Sequence, residues 1–152
     1  MMRLREDVTI SDYIRPICLP DAPPHLNETF LGIKCVATGW GMRVHGARLE
    51  AKLKEVTVPV VNNSHCVKMY GMMHSIPVKQ YHLCAGYTQG QGQGTCIGDS
   101  GGPLQCNMKD GRWYLAGITS FGSGCAKPGF PDVYTRITYY LPWIKQQMRK
   151  HR

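Results

Sequence analysis

Short apolar runs, each ended by glycine or proline, constrain most strongly how this chain can fold. Six runs are candidate strands, at 34–40, 53–61, 82–86, 103–106, 113–121 and 132–137. Several short strands separated by turn residues are typical of an antiparallel barrel or sandwich, not of alternating strand–helix units. The sequence therefore predicts an all-β fold.

The two ends of the chain have different patterns. Four prolines within residues 1–30 exclude a regular helix there and predict an extended connection: Pro16, Pro20, Pro23 and Pro24. Residues 138–150 carry apolar side chains near helical spacing and predict a C-terminal helix that packs these side chains into the core. Those side chains are Tyr140, Trp143, Ile144 and Met148.

Composition excludes several classes of protein. The 152 residues suit one ordinary domain, and no run approaches the 18 or more apolar residues of a membrane span. The formal net charge is +8, and basic residues are concentrated in 145–152. That cluster is either a polyanion-binding patch or the solvated end of a helix, and we expect no nucleic acid partner.

Seven cysteines indicate disulfides and an oxidising compartment. Two glycosylation sequons, at Asn27 and Asn62, agree with that location. No zinc-ligand spacing is present, and we expect neither a metal nor a cofactor. The first ten residues, MMRLREDVTI, are too charged for a signal peptide. We therefore expect sequence upstream of Met1 and an extracellular protein, secreted or tethered to a membrane.

The segment Gly98-Asp99-Ser100-Gly101-Gly102 places one serine between glycines. Glycines permit a tight turn in which successive N–H groups converge, and converging N–H groups can bind an oxyanion. The same residues are also favoured in plain turns for steric reasons. Locally, a reactive serine and an ordinary turn remain equal alternatives.

The wider sequence resembles the chymotrypsin/trypsin-like serine proteases. Six motifs carry the resemblance in the family's order: ICLP (17–20), TGWG (38–41), CAGY (84–87), GDSGGPL (98–104), ITSFGSGCA (118–126) and PDVYTRI (131–137). The resemblance implies the second of the family's two barrels over residues 31–152. This is a six-stranded antiparallel Greek-key barrel with a closing helix, preceded by an interdomain connection over residues 1–30.

Roles follow from the same resemblance. Ser100 matches the nucleophile, and the N–H groups of Gly98 and Ser100 match the oxyanion hole. Asp99 matches the carboxylate that receives the new N-terminal ammonium when a zymogen is cut. The strand that pairs with the substrate backbone is matched by Ser120, Phe121 and Gly122, although the family usually has tryptophan at position 121.

The resemblance also implies a cysteine pairing that the spacing alone leaves open. The implied pairs are Cys35–Cys106, Cys66–Cys84 and Cys96–Cys125. Cys18 is left without a partner in this chain. In many relatives it is bonded to a propeptide or light chain, so we expect a missing N-terminal half or light chain as its partner.

The specificity pocket departs from the trypsin pattern. Its matching positions are Gly94, Thr95, Gly122, Asp132 and Tyr134. Gly94 stands where trypsin-like members usually have aspartate, and Asp132 stands where they usually have glycine. A buried carboxylate needs a cation or a hydrogen-bond donor. We expect a polypeptide substrate with a basic side chain in this pocket. The alternative is an aspartate that faces solvent or is neutralised by a neighbouring hydroxyl such as that of Tyr134.

No histidine stands in the motif that carries the family's general base, and the matching catalytic aspartate is also absent from this chain. His65 follows the strand 53–61 and is predicted to lie in an exposed loop. The isolated chain is therefore predicted to be inactive as a peptidase. It is part of a secreted serine endopeptidase, a binding module without catalysis, or a subunit that another chain completes.

Overall fold

Six strands close into one antiparallel barrel in the computed structural model, which describes residues 1–90 and 92–150. The strand order around the barrel is β1-β2-β3-β6-β5-β4. All six strands predicted from the sequence are confirmed, with their ends within one residue. Their bounds are β1 (Lys34–Gly39), β2 (Lys54–Val61), β3 (His82–Ala85), β4 (Pro103–Asn107), β5 (Trp113–Phe121) and β6 (Asp132–Arg136).

Alternation of side chains along the strands builds the core. In β2, Val58 and Val60 are buried inside the barrel, whereas Thr57 before them is exposed and Pro59 between them is half-buried. Leu104 from β4 and Tyr134 from β6 are fully buried in the same cluster. Because strand side chains point alternately to the two faces, one apolar set fills the barrel and the other faces outward.

A helix that the sequence analysis missed, α1 (Asn63–His74), follows β2 directly. Asn62 caps it, since its side-chain oxygen accepts the N–H of Ser64 at 2.9 Å. Cys66 and Tyr70, one turn apart, are fully buried. The expectation of an exposed loop at His65 is wrong, because this residue lies half-buried in α1 with its Nε2 3.4 Å from the carbonyl oxygen of Gly129.

The C-terminal helix, α2 (Ile137–Lys150), is confirmed, but its buried face differs from the prediction. Ile137 and Leu141 are buried, whereas Trp143 is 46% and Met148 is 49% exposed. The helix continues directly from β6, so its first turn packs against the barrel and its later turns lie on the surface. Lys145 holds the second half to the N-terminal segment through an ion pair of 3.4 Å with Asp21.

Residues 1–33 contain no helix or strand in the structure. They are held to the barrel at Cys18, which forms an isolated bridge with Tyr114 of β5. The N–H of Cys18 donates to the carbonyl of Trp113 at 3.1 Å, and the N–H of Leu115 donates to the carbonyl of Cys18 at 2.9 Å. The connection therefore runs along the outside of one barrel strand.

Three disulfides join the pairs that the resemblance implies. Cys35–Cys106 links β1 to β4, and Cys66–Cys84 links α1 to β3. Cys96–Cys125 joins the loop before Ser100 to the loop after β5. Cys18 is a free, half-buried thiol among the described residues. Within the described ranges, no helix is long and apolar enough to cross a membrane.

Candidate active site

Ser100 lies exposed in a loop that is fastened to β5 directly after the serine. The N–H of Gly101 donates to the carbonyl of Thr119 at 3.0 Å, and the N–H of Thr119 donates to the carbonyl of Gly102 at 2.9 Å. These two bonds fix the backbone directly after Ser100. The serine side chain therefore stands on a rigid support and not on a free turn.

The glycine loop leaves two N–H groups unused beside the serine. Gly98 (φ +99°) and Gly101 (φ +83°) occupy the left-handed region that favours glycine. Neither the N–H of Gly98 nor that of Ser100 donates a hydrogen bond to any other described group. Both are available to an oxygen atom that arrives from outside the protein.

The carboxylate of Asp99 is held by two backbone N–H groups. One of its oxygens accepts the N–H of Gly41 at 2.8 Å, and the other accepts the N–H of Cys96 at 3.0 Å. A Cβ atom at Gly39 or Gly41 would overlap this carboxylate. Asp99 also lines a cavity of about 360 Å³ next to β1 and β2.

Asp132 is buried beside the serine loop and is bound by one neighbour. The N–H and the hydroxyl of Thr95 both donate to its Oδ2, at 2.5 and 3.0 Å. Burial raises the pKa of Asp132 to about 6, because the hydrogen bonds from Thr95 offset only part of the desolvation and the charge of Asp99 adds to it. A Cβ atom at Gly94 or Gly122 would overlap the Asp132 carboxylate.

The alternative that Asp132 faces solvent is wrong, since only 5% of this residue is exposed. A neighbouring hydroxyl does bind it, but that hydroxyl belongs to Thr95 and not to Tyr134. The Tyr134 hydroxyl is buried, and no hydrogen bond joins it to the Asp132 carboxylate. Burial and the nearby Asp132 raise the pKa of Tyr134 above its ordinary value.

Ser100 opens onto a cavity of about 340 Å³ that is lined by half of the predicted site residues. Its wall contains Thr95, Ser100, Ser120, Phe121 and Gly122. Asp132 stands behind this wall, in contact with Thr95. The structure thus brings the predicted nucleophile, the predicted substrate strand and part of the predicted pocket to one cavity, whereas Gly94 lines the other cavity with Asp99.

The predicted substrate strand, the end of β5, is irregular where it passes the serine. Thr119 pairs with Tyr134 and Phe121 pairs with Val133, so Ser120 is an extra residue in β5 relative to β6. The ring of Phe121 packs edge-on against Tyr70 and His82, with centroids 5.6 Å apart in both cases. The bulge turns the end of β5 toward the cavity.

His45 lines the Ser100 cavity, and the sequence analysis did not select it. It is exposed on a loop whose ends are held at Met42, which donates to the carbonyl of Ile97 at 2.9 Å, and at Glu50, which donates to that of Trp40 at 3.0 Å. No motif marks this histidine. The only sequence signal is its position just after Thr38-Gly39-Trp40-Gly41.

The other histidines whose side chains the structure describes serve elsewhere. His25 is buried with its Nε2 3.3 Å from a carboxylate oxygen of Asp110. The Nδ1 of His82 accepts the N–H of Lys79 at 3.0 Å, and burial lowers the pKa of this imidazole. Within the described ranges, no cluster of histidine, cysteine or acidic residues could hold a metal ion.

Comparison with known proteins agrees with the barrel fold. The sequence profile of the Trypsin family matches residues 1–144. The chain is 41% identical to the serine proteinase stubble of Drosophila melanogaster over 152 residues, which cover 98% of this chain and 18% of that protein. It is 42% identical to a tryptase of Mus musculus, with 99% of this chain and 55% of that protein covered.

A third relative, the transmembrane protease serine 9 of Rattus norvegicus, is 40% identical over 99% of this chain and 13% of its own length. The chain belongs to the trypsin family of serine proteases. It spans between 13% and 55% of the length of these three relatives.

Proposed function

We propose that this chain is the serine-bearing part of an endopeptidase that cleaves polypeptides by acyl transfer. One observation carries the proposal. Ser100 stands on a loop fixed to β5, beside two unused N–H groups and a cavity that can receive a side chain. Family membership supports the same reaction.

In the proposed reaction, the Ser100 hydroxyl attacks the scissile carbonyl and forms a tetrahedral intermediate. The N–H groups of Gly98 and Ser100 donate to its oxyanion, and water later releases the acyl-enzyme. The attack needs a general base and an oriented acid. We propose that a segment outside residues 1–152 supplies both, because no histidine of this chain stands in the matching motif.

We further propose that the cavity prefers substrates with lysine or arginine before the scissile bond. The support is the Asp132 carboxylate, which stands behind Thr95 and Gly122 in the cavity wall. At neutral pH it is mostly ionised, and its two hydrogen bonds both fall on Oδ2. The other oxygen, Oδ1, faces Gly122 and is the atom that a substrate cation would approach.

Three further proposals concern the location of the protein, the partner of Cys18 and the role of Asp99. Three disulfides favour an oxidising compartment, so we propose an extracellular protein, secreted or tethered to a membrane. Cys18 is proposed to bond to a propeptide or light chain, because it is the free thiol of the described chain. Asp99 is proposed to receive an N-terminal ammonium in its cavity.

The basic C-terminus is proposed to contact polyanions. Lys145 is already paired with Asp21, so Arg149 and Lys150 are the described cations that remain for such a contact. The last two positions of the predicted patch, 151 and 152, lie outside the described residues.

The test is covalent labelling of the full-length protein with a fluorophosphonate, which reacts with activated serines. We expect one label, on Ser100, and loss of both labelling and peptide cleavage in Ser100→Ala. Ser11→Ala is the control, because Ser11 is an exposed serine that does not line this cavity and should leave the labelling intact. Labelling and cleavage that persist in Ser100→Ala would overturn the assignment. A full-length protein that neither labels nor cleaves would be a binding module instead.

A further inference from the structure

The two glycosylation sequons border the same groove, although they are far apart in the chain. Asn27 and Asn62 are both exposed, and both line a groove of about 610 Å³ that shares no residue with the Ser100 cavity. Sequons often arise by chance. Two chance sequons have no reason to border the same groove.

The groove between them is lined by apolar side chains that the barrel does not cover. Leu31 is 55%, Val67 is 47% and Tyr139 is 46% exposed, and all three line it. Such surface gains free energy when it is removed from water, at about 25 cal/mol for each Å². A covalently attached occupant would cover it without a separate binding step.

The side chain of Asn62 is held in an orientation that suits modification. Its Oδ1 accepts the N–H of Ser64, so the cap uses the oxygen, and the Nδ2 atom of this exposed residue donates no hydrogen bond to the described residues. Asn63, the next residue, shows the contrast: its Nδ2 donates to the carbonyls of Lys79 and His82. The cap of α1 and a glycan on Asn62 are therefore compatible.

We propose that Asn27 and Asn62 are N-glycosylated and that their glycans cover the apolar groove between them. The sugar comes from a lipid-linked oligosaccharide diphosphate. A bond forms between Nδ2 and the anomeric carbon, and the bond from that carbon to the diphosphate breaks. The diphosphate leaves with the bonding electrons, and the amide loses one proton. Transfer occurs at Nδ2, so the capping oxygen of Asn62 is retained.

The first experiment maps occupancy in protein secreted from eukaryotic cells. Peptide-N-glycosidase converts each glycosylated asparagine to aspartate, which mass spectrometry locates. We expect conversion at Asn27 and Asn62 and none at Asn107, an exposed asparagine outside any sequon. Thr29→Ala and Ser64→Ala should each remove one glycan, whereas Thr29→Ser should keep it. Unmodified Asn27 and Asn62 in secreted, disulfide-bonded protein would overturn the proposal.

The second experiment tests the groove. Nitration of Tyr139 should be several-fold slower in the glycosylated protein than in the Thr29→Ala, Ser64→Ala double variant. Tyr13, which is 98% exposed and does not line the groove, should react equally in both proteins. Ser64→Ala keeps the backbone N–H that Asn62 caps, so the helix is preserved. Equal nitration of Tyr139 in both proteins would show that the glycans leave the groove open.

Discussion

At the scale of single residues, Asp132 holds a charge that pH can remove within an accessible range. Its pKa of about 6 predicts that the preference for arginine over the neutral isostere citrulline falls as the pH drops from 8 to 5. The ratio of kcat/KM for the two substrates in the full-length enzyme measures this. Asp132→Asn is the control, and its ratio should be low and flat. A ratio that is unchanged in Asp132→Asn would exclude the carboxylate from recognition.

The same pKa predicts a stability effect of definite sign. The folded-state pKa lies above the ordinary value of 3.8, so the folded protein binds this proton more tightly than the unfolded chain does. Protonation of Asp132 therefore increases the free energy of unfolding as the pH falls from above 6 toward 4. The increase is about 3 kcal/mol at most. Denaturant unfolding at several pH values should show this gain in the parent protein. Asp132→Asn should lack it, and an equal gain in the variant would contradict the assignment.

Positions 94 and 122 require glycine because the Asp132 carboxylate occupies the space that a side chain would need. Gly94→Asp would place a second carboxylate against the first, so we expect loss of stability and of cleavage after basic residues. Adding Asp132→Gly should restore both, since the carboxylate then returns to the facing wall. A double-mutant cycle in unfolding free energy measures the coupling. Simple additivity of the two changes would show that the positions do not interact.

The exchange of Gly94 and Asp132 could be predicted from the sequence, because the resemblance fixes both positions. The hydrogen-bond partner of Asp132 could not be predicted from the sequence. Thr95 and Tyr134 both carry a hydroxyl near it, and only the fold decides which reaches Oδ2. His45 was missed for a related reason, since its place on the Ser100 cavity depends on the path of a loop.

At the scale of elements, α1 supports the wall of the Ser100 cavity. The hydroxyl of Tyr70 donates to the carbonyl of Pro131 at 2.9 Å and accepts the N–H of Ser123 at 3.1 Å. Pro131 precedes Asp132, and Ser123 follows Gly122. Tyr70→Phe should therefore cost about 1–3 kcal/mol of unfolding free energy by leaving buried backbone groups without this partner. It should also raise KM for basic substrates more than it lowers kcat.

Tyr140→Phe is the matched control for that change, because Tyr140 lies in α2 and does not line the Ser100 cavity. An unchanged KM in Tyr70→Phe, with stability reduced, would limit α1 to a structural role.

The helix itself was hidden in the sequence. Its buried face is carried by Cys66 and Tyr70, and Asn62-Asn63-Ser64 has the composition of a turn. Asparagine and serine are favoured both in turns and at helix N-caps, so these residues alone do not distinguish the two.

At the scale of the whole molecule, the barrel and its strands could be predicted because alternation and turn residues agree along the chain. Which outer faces of the barrel and its helix are buried could not be predicted, since that depends on what packs against them. Trp143 and Met148 were assigned to the core by spacing alone, yet both are about half exposed. Helical spacing shows that a face is apolar and does not show what covers it.

The barrel alone is expected to fold without being a peptidase. Ser100 and the unused N–H groups beside it are in place within residues 1–152, but the matching base and acid are not. We therefore expect the isolated, oxidised chain to show cooperative unfolding and no peptide hydrolysis above that of its Ser100→Ala variant. The full-length protein should lose cleavage with the same substitution. Hydrolysis by the isolated chain that Ser100→Ala abolishes would mean that a base lies within it. His45 lines the same cavity, so His45→Ala would then identify or exclude that base.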